Sequence, residues 1–353
     1  MENKGNRVKR PTIRDVAKAA GVSQTTASYI IGKTRGGFAK KTVQRVNQAA
    51  KKLNYKANTF AKGLRTGRTE LMGILSGIDF ESVNHITRYQ LEVGVATEAI
   101  KHGFDIIRIL TSPEIEADDK ANIDRVIALI RSGLIECMVL ECPISGTPFI
   151  QEIQETGASF VVIGHPPQKN VYTVDSDNVL VGRMTAQHLI DLGHRRLAYI
   201  APYQNYPFGN DRAKGFLDTC KVASVNARDL LVVRVENTTA GGYKGMQQIL
   251  KKPKPYTAVI AADDYMADGA MKAIADAGLN IPDDISIVGC NNDSLAGNRA
   301  DFLTTVDLDF VNIGSLAAKK AIALTMGRKI TRRTITKSRF VPRGSSGPPK
   351  KSP

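Results

Sequence analysis

The fold class expected from the sequence is a small all-α helix-turn-helix domain, to which a family resemblance described below adds a hinge helix, followed by an α/β body of two doubly wound parallel-sheet lobes. Three observations lead there. Positive charge is segregated: residues 1–70 hold 17 basic against 3 acidic residues, residues 71–327 hold 23 against 31, and residues 328–353 hold 9 against none. The head contains two short helical patterns broken by Gly21-Val22-Ser23. Beyond Leu71 short apolar runs alternate with amphipathic helical stretches, the pattern of parallel strands covered on both faces.

With 353 residues, of which 42% are hydrophobic, the chain exceeds one ordinary domain and can bury a large core. The first residues lack an apolar signal core, and no run approaches the roughly 18 apolar residues of a membrane span, so a cytoplasmic location without membrane contact is expected. Cys137, Cys142, Cys220 and Cys290 form no CxxC and sit with no paired histidine spacing, so no metal site, disulfide framework or cofactor is expected. Nucleophile elbows and Walker loops are also missing, which argues against an enzyme.

In the head, residues 1–10 read as a basic disordered arm and 11–57 as the helix-turn-helix domain. Thr12 and Asp15 form a capping-box-like start, with Val16, Ala17 and Ala20 at helical spacing. Gly21 supplies a left-handed turn residue and Ser23 a cap for the next helix. That second helix, from Gln24 to about Ile31, is expected to turn Ala27, Ile30 and Ile31 inward. Gln24, Thr25, Thr26, Ser28 and Tyr29 are then its candidate base-reading residues, since amide and hydroxyl groups suit base edges in a major groove. A third helix, Lys40 to Leu53, carries an apolar stripe. Thr12, Ser23, Lys40, Lys41, Thr42, Arg45 and Lys62 are the candidate phosphate contacts.

In the body, strands are expected at Leu71–Ser76, Asp105–Leu110, Glu136–Leu140, Phe160–Gly164, Leu197–Ala201, Leu231–Val235, Ala258–Ala261 and Ile285–Gly289. Helices are expected at Tyr89–His102, Asn122–Ser132, Met184–Leu192, Ala213–Val222, Gly242–Lys251, Met266–Ala277 and Ile313–Met326. The Pro, Gly and Ser-rich tail, 344–353, reads as disordered and offers no heptads for tetramerisation.

The run TIRDVAKAAGVSQTTASYI, followed by a third helix and NTFAKGLRTGRT, resembles the head and hinge of the lactose and galactose repressor (LacI/GalR) family. The likeness continues through DLGHRRLAYI, DRAKGF, AADDYMADGAMKAI, IPDDISIVGCNN, LTTVDLDF and FVPRGSS, from Thr12 to about Arg343. It implies a hinge over 58–69 in which Asn58 caps a short helix, Ala61 approaches the minor groove and Leu64 wedges into it. It also implies a two-lobed effector-binding and dimerisation body over 70–343, similar to a periplasmic binding protein, with three crossovers between the lobes. The partners implied are a palindromic double-stranded DNA operator, a small effector that is most often a carbohydrate, and a second copy of the chain, with a tetramer as the larger alternative. Two alternatives stay open: a corepressor-dependent regulator sensing a nucleobase or nucleoside, and a solute-binding protein without DNA function.

By the same resemblance Arg212 aligns with an effector-clamping arginine, Asp263 and Asn291 with polar pocket groups, and Phe310 with an apolar wall. His165, just past a strand end, and Asp79, in the loop after the first strand, are further candidates. An inter-lobe ion pair is the competing role for Arg212, and a helix cap competes at Asp263-Asp264. Departures are specific: Tyr29 replaces a usual Arg, Gly63 a usual Ser, Ala39 a usual capping Ser, Asn291 a usual Asp, and Gly36-Gly37-Phe38 enlarges the loop before the third helix.

Overall fold

The computed structural model describes residues 11–32, 36–55, 63, 68–77, 86–111, 120–141, 149–203, 206–293 and 301–350. The chain divides into two compact units, residues 1–70 and 71–353.

The head unit contains α1 (Ile13–Ala20), α2 (Gln24–Ile31) and α3 (Lys40–Lys52). Thr12 opens α1 with a complete capping box: its backbone N–H donates to Asp15 Oδ2 at 2.8 Å and Asp15 N–H donates back to Thr12 Oγ1 at 3.4 Å. Gly21 closes the helix at φ 61°, a left-handed conformation that is costly for residues with a Cβ. Ser23 Oγ accepts from Thr26 N–H at 3.0 Å to start α2. Val16, Ala17, Ala20, Ala27, Ile30, Val46, Ala49 and Ala50 form the core of this unit. The smallness of the alanines lets three short helices cross within one miniature core.

The body begins with β1 (Leu71–Gly77), α4 (Ile86–Lys101), β2 (Asp105–Thr111), α5 (Lys120–Arg131), β3 (Cys137–Glu141), α6 (Phe149–Glu155), β4 (Ser159–Ile163) and β5 (Thr173–Ser176). It continues with α7 (Asn178–Asp191), β6 (Leu197–Pro202), α8 (Pro207–Val222), β7 (Leu230–Val235), α9 (Thr239–Leu250), β8 (Ala258–Ala261), α10 (Asp264–Asp276) and β9 (Ser286–Val288). The last elements are β10 (Thr305–Asp307), α11 (Phe310–Thr325), β11 (Arg333–Thr336) and β12 (Arg339–Val341).

Two parallel sheets result. The first has the order β11-β5-β4-β3-β1-β2 and the second β7-β6-β8-β9, while β10 and β12 pair as a separate antiparallel ribbon. The chain passes between lobes after β5, after β10 and along β12. The two-lobe expectation with three crossovers is therefore what the body adopts.

Helices reach the sheets in pairs that touch backbone to backbone. A Cβ at Gly182 would lie 1.9 Å from Arg212 O, and one at Gly215 would lie 2.0 Å from Val179 O, so α7 and α8 cross through reciprocal glycines. The same reciprocity joins α9 to α10 through Gly242 and Gly269, and α4 to α11 through Gly94 and Gly314. Any side chain at these points has to push two helices apart.

The structure corrects the reading of the tail. Residues 344–350 are ordered and packed: Ser345 is fully buried, its N–H donates to Phe302 O, and Ile287 N–H donates to Ser345 O at 2.8 Å. Small residues there let the segment lie against β9 as an irregular strap, tied to it through Ser345 and Gly347. Gly347 O also accepts from His194 Nε2 at 2.8 Å, which gives that histidine its structural role. The body accordingly runs from Leu71 through the tail, not from 70 to 343. Four strands (β5, β10, β11 and β12) and α6 are further additions to the expected elements.

Cys137, Cys220 and Cys290 are buried free thiols, their pKa values pushed up by burial to about 12, about 11 and about 12. Cys142 lies outside the described residues.

Candidate nucleic-acid interface and ligand cleft

On α2, Gln24 and Thr25 are exposed, Thr26, Ser28 and Tyr29 are half-buried, and Ala27 and Ile30 enter the core. Ile31, expected inward, packs only at the core's edge. Thr26 and Ser23 are linked through their hydroxyls at 2.8 Å, so both help to fix the helix start. Thr12 is likewise a cap. On α3, Lys40, Lys41 and Arg45 are exposed, Thr42 is half-buried, and Lys51 and Lys52 extend the basic surface to the helix end. Ala39 makes no side-chain cap there. The exposed face of the head is thus polar at the N-terminus of its second helix and cationic along its third, the distribution needed for base edges and phosphates respectively. Asn58, Ala61, Lys62 and Leu64 lie outside the described residues; Gly63 is helical and buried.

In the body, polar groups gather where strands end at their carboxyl termini. Arg212, on α8, is buried, with 4% of its surface exposed. Its Nε donates to Asn178 Oδ1 at 2.9 Å, Nη1 donates to Ala262 O, and its guanidinium carbon lies 4.9 Å from the centre of the Phe208 ring. Asn178 in turn donates Nδ2 to Asp175 Oδ1 at 3.3 Å. Asp175 is the penultimate residue of β5 in the first lobe, so Asn178 relays an acid of one lobe to the arginine of the other. Burial pushes the Asp175 pKa up to about 6 despite the opposing pull of Arg212 and His165. Among the described residues Arg212 makes no direct inter-lobe ion pair; it is held by two neutral acceptors and an aromatic face.

Asp263 is buried and caps α10, its Oδ1 accepting from Met266 N–H at 2.8 Å. Its neighbour Asp264 faces elsewhere: Oδ2 accepts from Asp293 N–H and Oδ1 from Thr305 Oγ1, both at 2.7 Å. Burial, with Asp263 and Asp293 nearby, pushes Asp264 up to about 8. Asn291 follows β9 at φ 110°, a backbone strain maintained by its N–H donating to Val306 O at 2.8 Å. Its Oδ1 is buried with no hydrogen-bond partner among the described residues, an unmet acceptor that costs stability unless a ligand donates to it. Phe310 opens α11 half-buried against the first-lobe core.

Arg212, Asp263 and Cys290, the residue before Asn291, are close enough to influence one another electrostatically. Arg212 reaches the carbonyl of Ala262, next to Asp263, while Asn291 follows Cys290 in sequence. His165 is half-exposed, with Nδ1 3.9 Å from Asp211 Oδ2, at the margin of this group. Asp79 lies outside the described residues.

Three polar residues at or near strand carboxyl ends escaped the sequence reading: Asp175, Asn178 and Glu141. Glu141 ends β3, its side chain 3% exposed, with Arg88 Nε at 3.4 Å. Burial, reinforced by Glu92, pushes it up to about 7 against the opposing field of Arg88. An acid at or next to the last position of a parallel strand is the available signal for Glu141 and Asp175, because such sheets bind ligands beyond their strand carboxyl ends.

A capped helix-turn-helix carried on a two-lobed α/β body defines a DNA-binding transcriptional regulator. Residues 12–58 match the bacterial regulatory proteins, lacI family, and residues 186–346 match the periplasmic binding protein-like domain. The HTH-type transcriptional regulator AglR of Rhizobium meliloti (strain 1021) is 30% identical over 97% of this chain and 96% of its own length. The HTH-type transcriptional repressor PurR of Serratia proteamaculans (strain 568) is 31% identical over 87% of this chain and 88% of its own. Among solved structures, the lac repressor dimer bound to operator and the anti-inducer ONPF superimposes with a TM-score of 0.84 at 21% identity, covering 96% of this chain and all of that one. A CelR–cellobiose complex superimposes at 0.73 with 24% identity, covering 95% of this chain and all of that one. The chain belongs to the lacI family of bacterial regulatory proteins. No helix among the described residues is long and apolar enough to cross a membrane.

Proposed function

We propose that this chain is a transcriptional repressor, acting in the cytoplasm, whose operator affinity is set by a small neutral carbohydrate in the cleft between its lobes. The observation that carries the carbohydrate is the cleft's donor and acceptor set. Arg212 offers a planar guanidinium, while Asp175, Asp263, Glu141 and Asn291 Oδ1 are acceptors at strand ends, and Phe208 and Phe310 supply aromatic surface. A polyol presents many hydroxyl donors to such acceptors and a flat C–H face to the rings. The CelR–cellobiose complex, one of the structural neighbours, supports the class. Binding without turnover is the proposed role.

The residues proposed to read bases are Gln24, Thr25, Thr26, Ser28 and Tyr29, with Leu64 as the minor-groove wedge of the hinge. Two heads must meet a palindrome, so the working unit is a homodimer. On α4, Tyr89 and Ile100 are 66% and 70% exposed at positions sharing one helix face, an apolar stripe suited to a second copy of the chain.

Nucleobase sensing is the second reading, favoured by several PurR relatives at 27–31% identity. A thermal-shift screen with neutral sugars and with purines separates the two. Stabilisation by a sugar and by no purine is expected; stabilisation by a purine alone transfers the conclusion to the second reading.

A further inference from the structure

We propose that the Tyr265 hydroxyl is a latch between the two lobes, a positioning residue that transmits the state of the cleft to the operator-binding end. The inference rests on the ligand-gated reading above and adds the device that couples its parts. Tyr265 lies in the first turn of α10, on the second lobe, and is buried. Its oxygen accepts from the backbone N–H of Ile86 at 3.1 Å. Ile86 is the first residue of α4, on the first lobe. The first amides of a helix have no partner within it, so Ile86 N–H takes its partner from across the cleft.

Burial pushes the pKa of the same hydroxyl up, and the Asp293 carboxylate lies close enough to add to that rise. From there the connection runs inward: Asp293 N–H donates to Asp264 Oδ2, and Thr305 Oγ1 donates to Asp264 Oδ1, each at 2.7 Å. Thr305 starts β10, which leads within five residues to Phe310 and α11. Helix α11 packs against α4 through Gly314 and Gly94. A closed circuit therefore joins α4, Tyr265, the Asp264–Asp293 knot and the crossover, and returns to α4. Space within the knot is tight, since a Cβ at Gly289 would lie 2.1 Å from Asp264 Oδ1. Asp263, one residue before the knot, caps the same helix from the cleft side. A ligand that shifts Asp263 or Asn291 thus moves α10 and with it the hydroxyl that holds α4, the helix next to the strand that continues from the head.

Tyr265→Phe removes the hydroxyl and keeps the ring. In the full chain, hydrogen exchange at the Ile86 amide is expected to quicken at least about tenfold, while the amides of α9 and β8 keep wild-type protection. Affinity for an operator duplex selected from a random pool by the wild-type chain is expected to change by about fivefold, the factor matching one net hydrogen bond of about 1 kcal/mol. Asp293→Ala should shift the operator affinity in the same direction, and the double variant should not exceed the larger single effect. Unchanged exchange at Ile86 or operator affinity within twofold of wild type overturns the latch. Failure of the wild-type chain to select any DNA site would instead sink the regulator reading, and the exchange measurement would still judge the latch.

Discussion

Head and body solve opposite problems with polar side chains. In the head, Gln24, Thr25, Lys40, Lys41 and Arg45 stand in water, and the small alanine-rich core beneath them only sets their spacing. In the body, Arg212, Asp175, Asp263 and Glu141 are wholly or largely withdrawn from water, and each is held by protein partners: Asn178 between Arg212 and Asp175, the Met266 amide at Asp263, and Arg88 at Glu141. Solvated charges along a helix suit a long, uniformly charged partner, whose phosphates exchange counterions for lysines without demanding fine geometry. Buried, mutually positioned groups suit a small partner enclosed on all sides, where each unmet donor or acceptor counts. Within the body, the glycine-tight helix pairs make rigid units that can carry such fine geometry.

The largest expected effect comes from cutting the two apart. Removing residues 1–69 is predicted to reduce affinity for the selected operator by at least about 10³-fold, the gap between specific and non-specific binding. The remaining body should still unfold cooperatively and still respond to its ligand. Retained operator affinity in a gel-shift titration would refute the division of labour.

Within the body, Gly182→Ala is predicted to destabilise by about 3 kcal/mol in urea unfolding, because the new Cβ meets the Arg212 carbonyl on the partner helix. The head should be unaffected. A loss below about 0.5 kcal/mol would mean that α7 and α8 adjust freely and that the crossing is not a rigid element.

Acidity sharpens the contrast further. Glu141 titrates at about 7 in the folded body against 4.5 unfolded, so its burial favours the protonated native form. Its contribution is fully present below about pH 4.5 and is lost as pH rises through about 7. Glu141→Gln should therefore flatten the decline in body stability between pH 5 and pH 8 by about 1–2 kcal/mol, less than the full shift implies because Arg88 loses its counter-charge. An unaltered pH profile of Tm would show that Glu141 stays ionised. The smallest effect belongs to the head: Thr12→Ala removes the capping box and should cost about 1 kcal/mol of head stability, read by thermal melting of residues 1–70 signals in the full chain, with the body transition unmoved.

The same contrast explains what could be read without a structure. Helices α1 to α3 begin and end within a residue of expectation because their signals are local: a capping box, a left-handed glycine and a serine cap. Body helices begin two to six residues earlier than their apolar periodicity indicates. In α8 the first turn, Pro207-Phe-Gly-Asn-Asp, carries its start signal in the proline instead of in periodicity. Strands β5 and β11 escaped because Thr-Val-Asp-Ser and Arg-Thr-Ile-Thr lack the apolar run of a buried strand; β11 is a sheet edge. Arg212, Asp263 and Asn291 were reachable through motif resemblance. Asp175 and Asn178 were not, since only packing brings β5 and α7 beside α8. The tail was misread for the same reason: Ser345 is ordered by partners some 40 to 60 residues away in sequence.

The central claim is that occupancy of the cleft governs the grip of the head on DNA. Its most direct test is the operator affinity of the full chain, measured as the sugar identified by thermal shift is titrated to saturation. The account predicts a change of at least about fivefold, within the usual 1–3 kcal/mol range of allosteric coupling, and predicts that Arg212→Ala abolishes the change while leaving ligand-free operator affinity within a few-fold of wild type. An operator affinity indifferent to saturating sugar would contradict it.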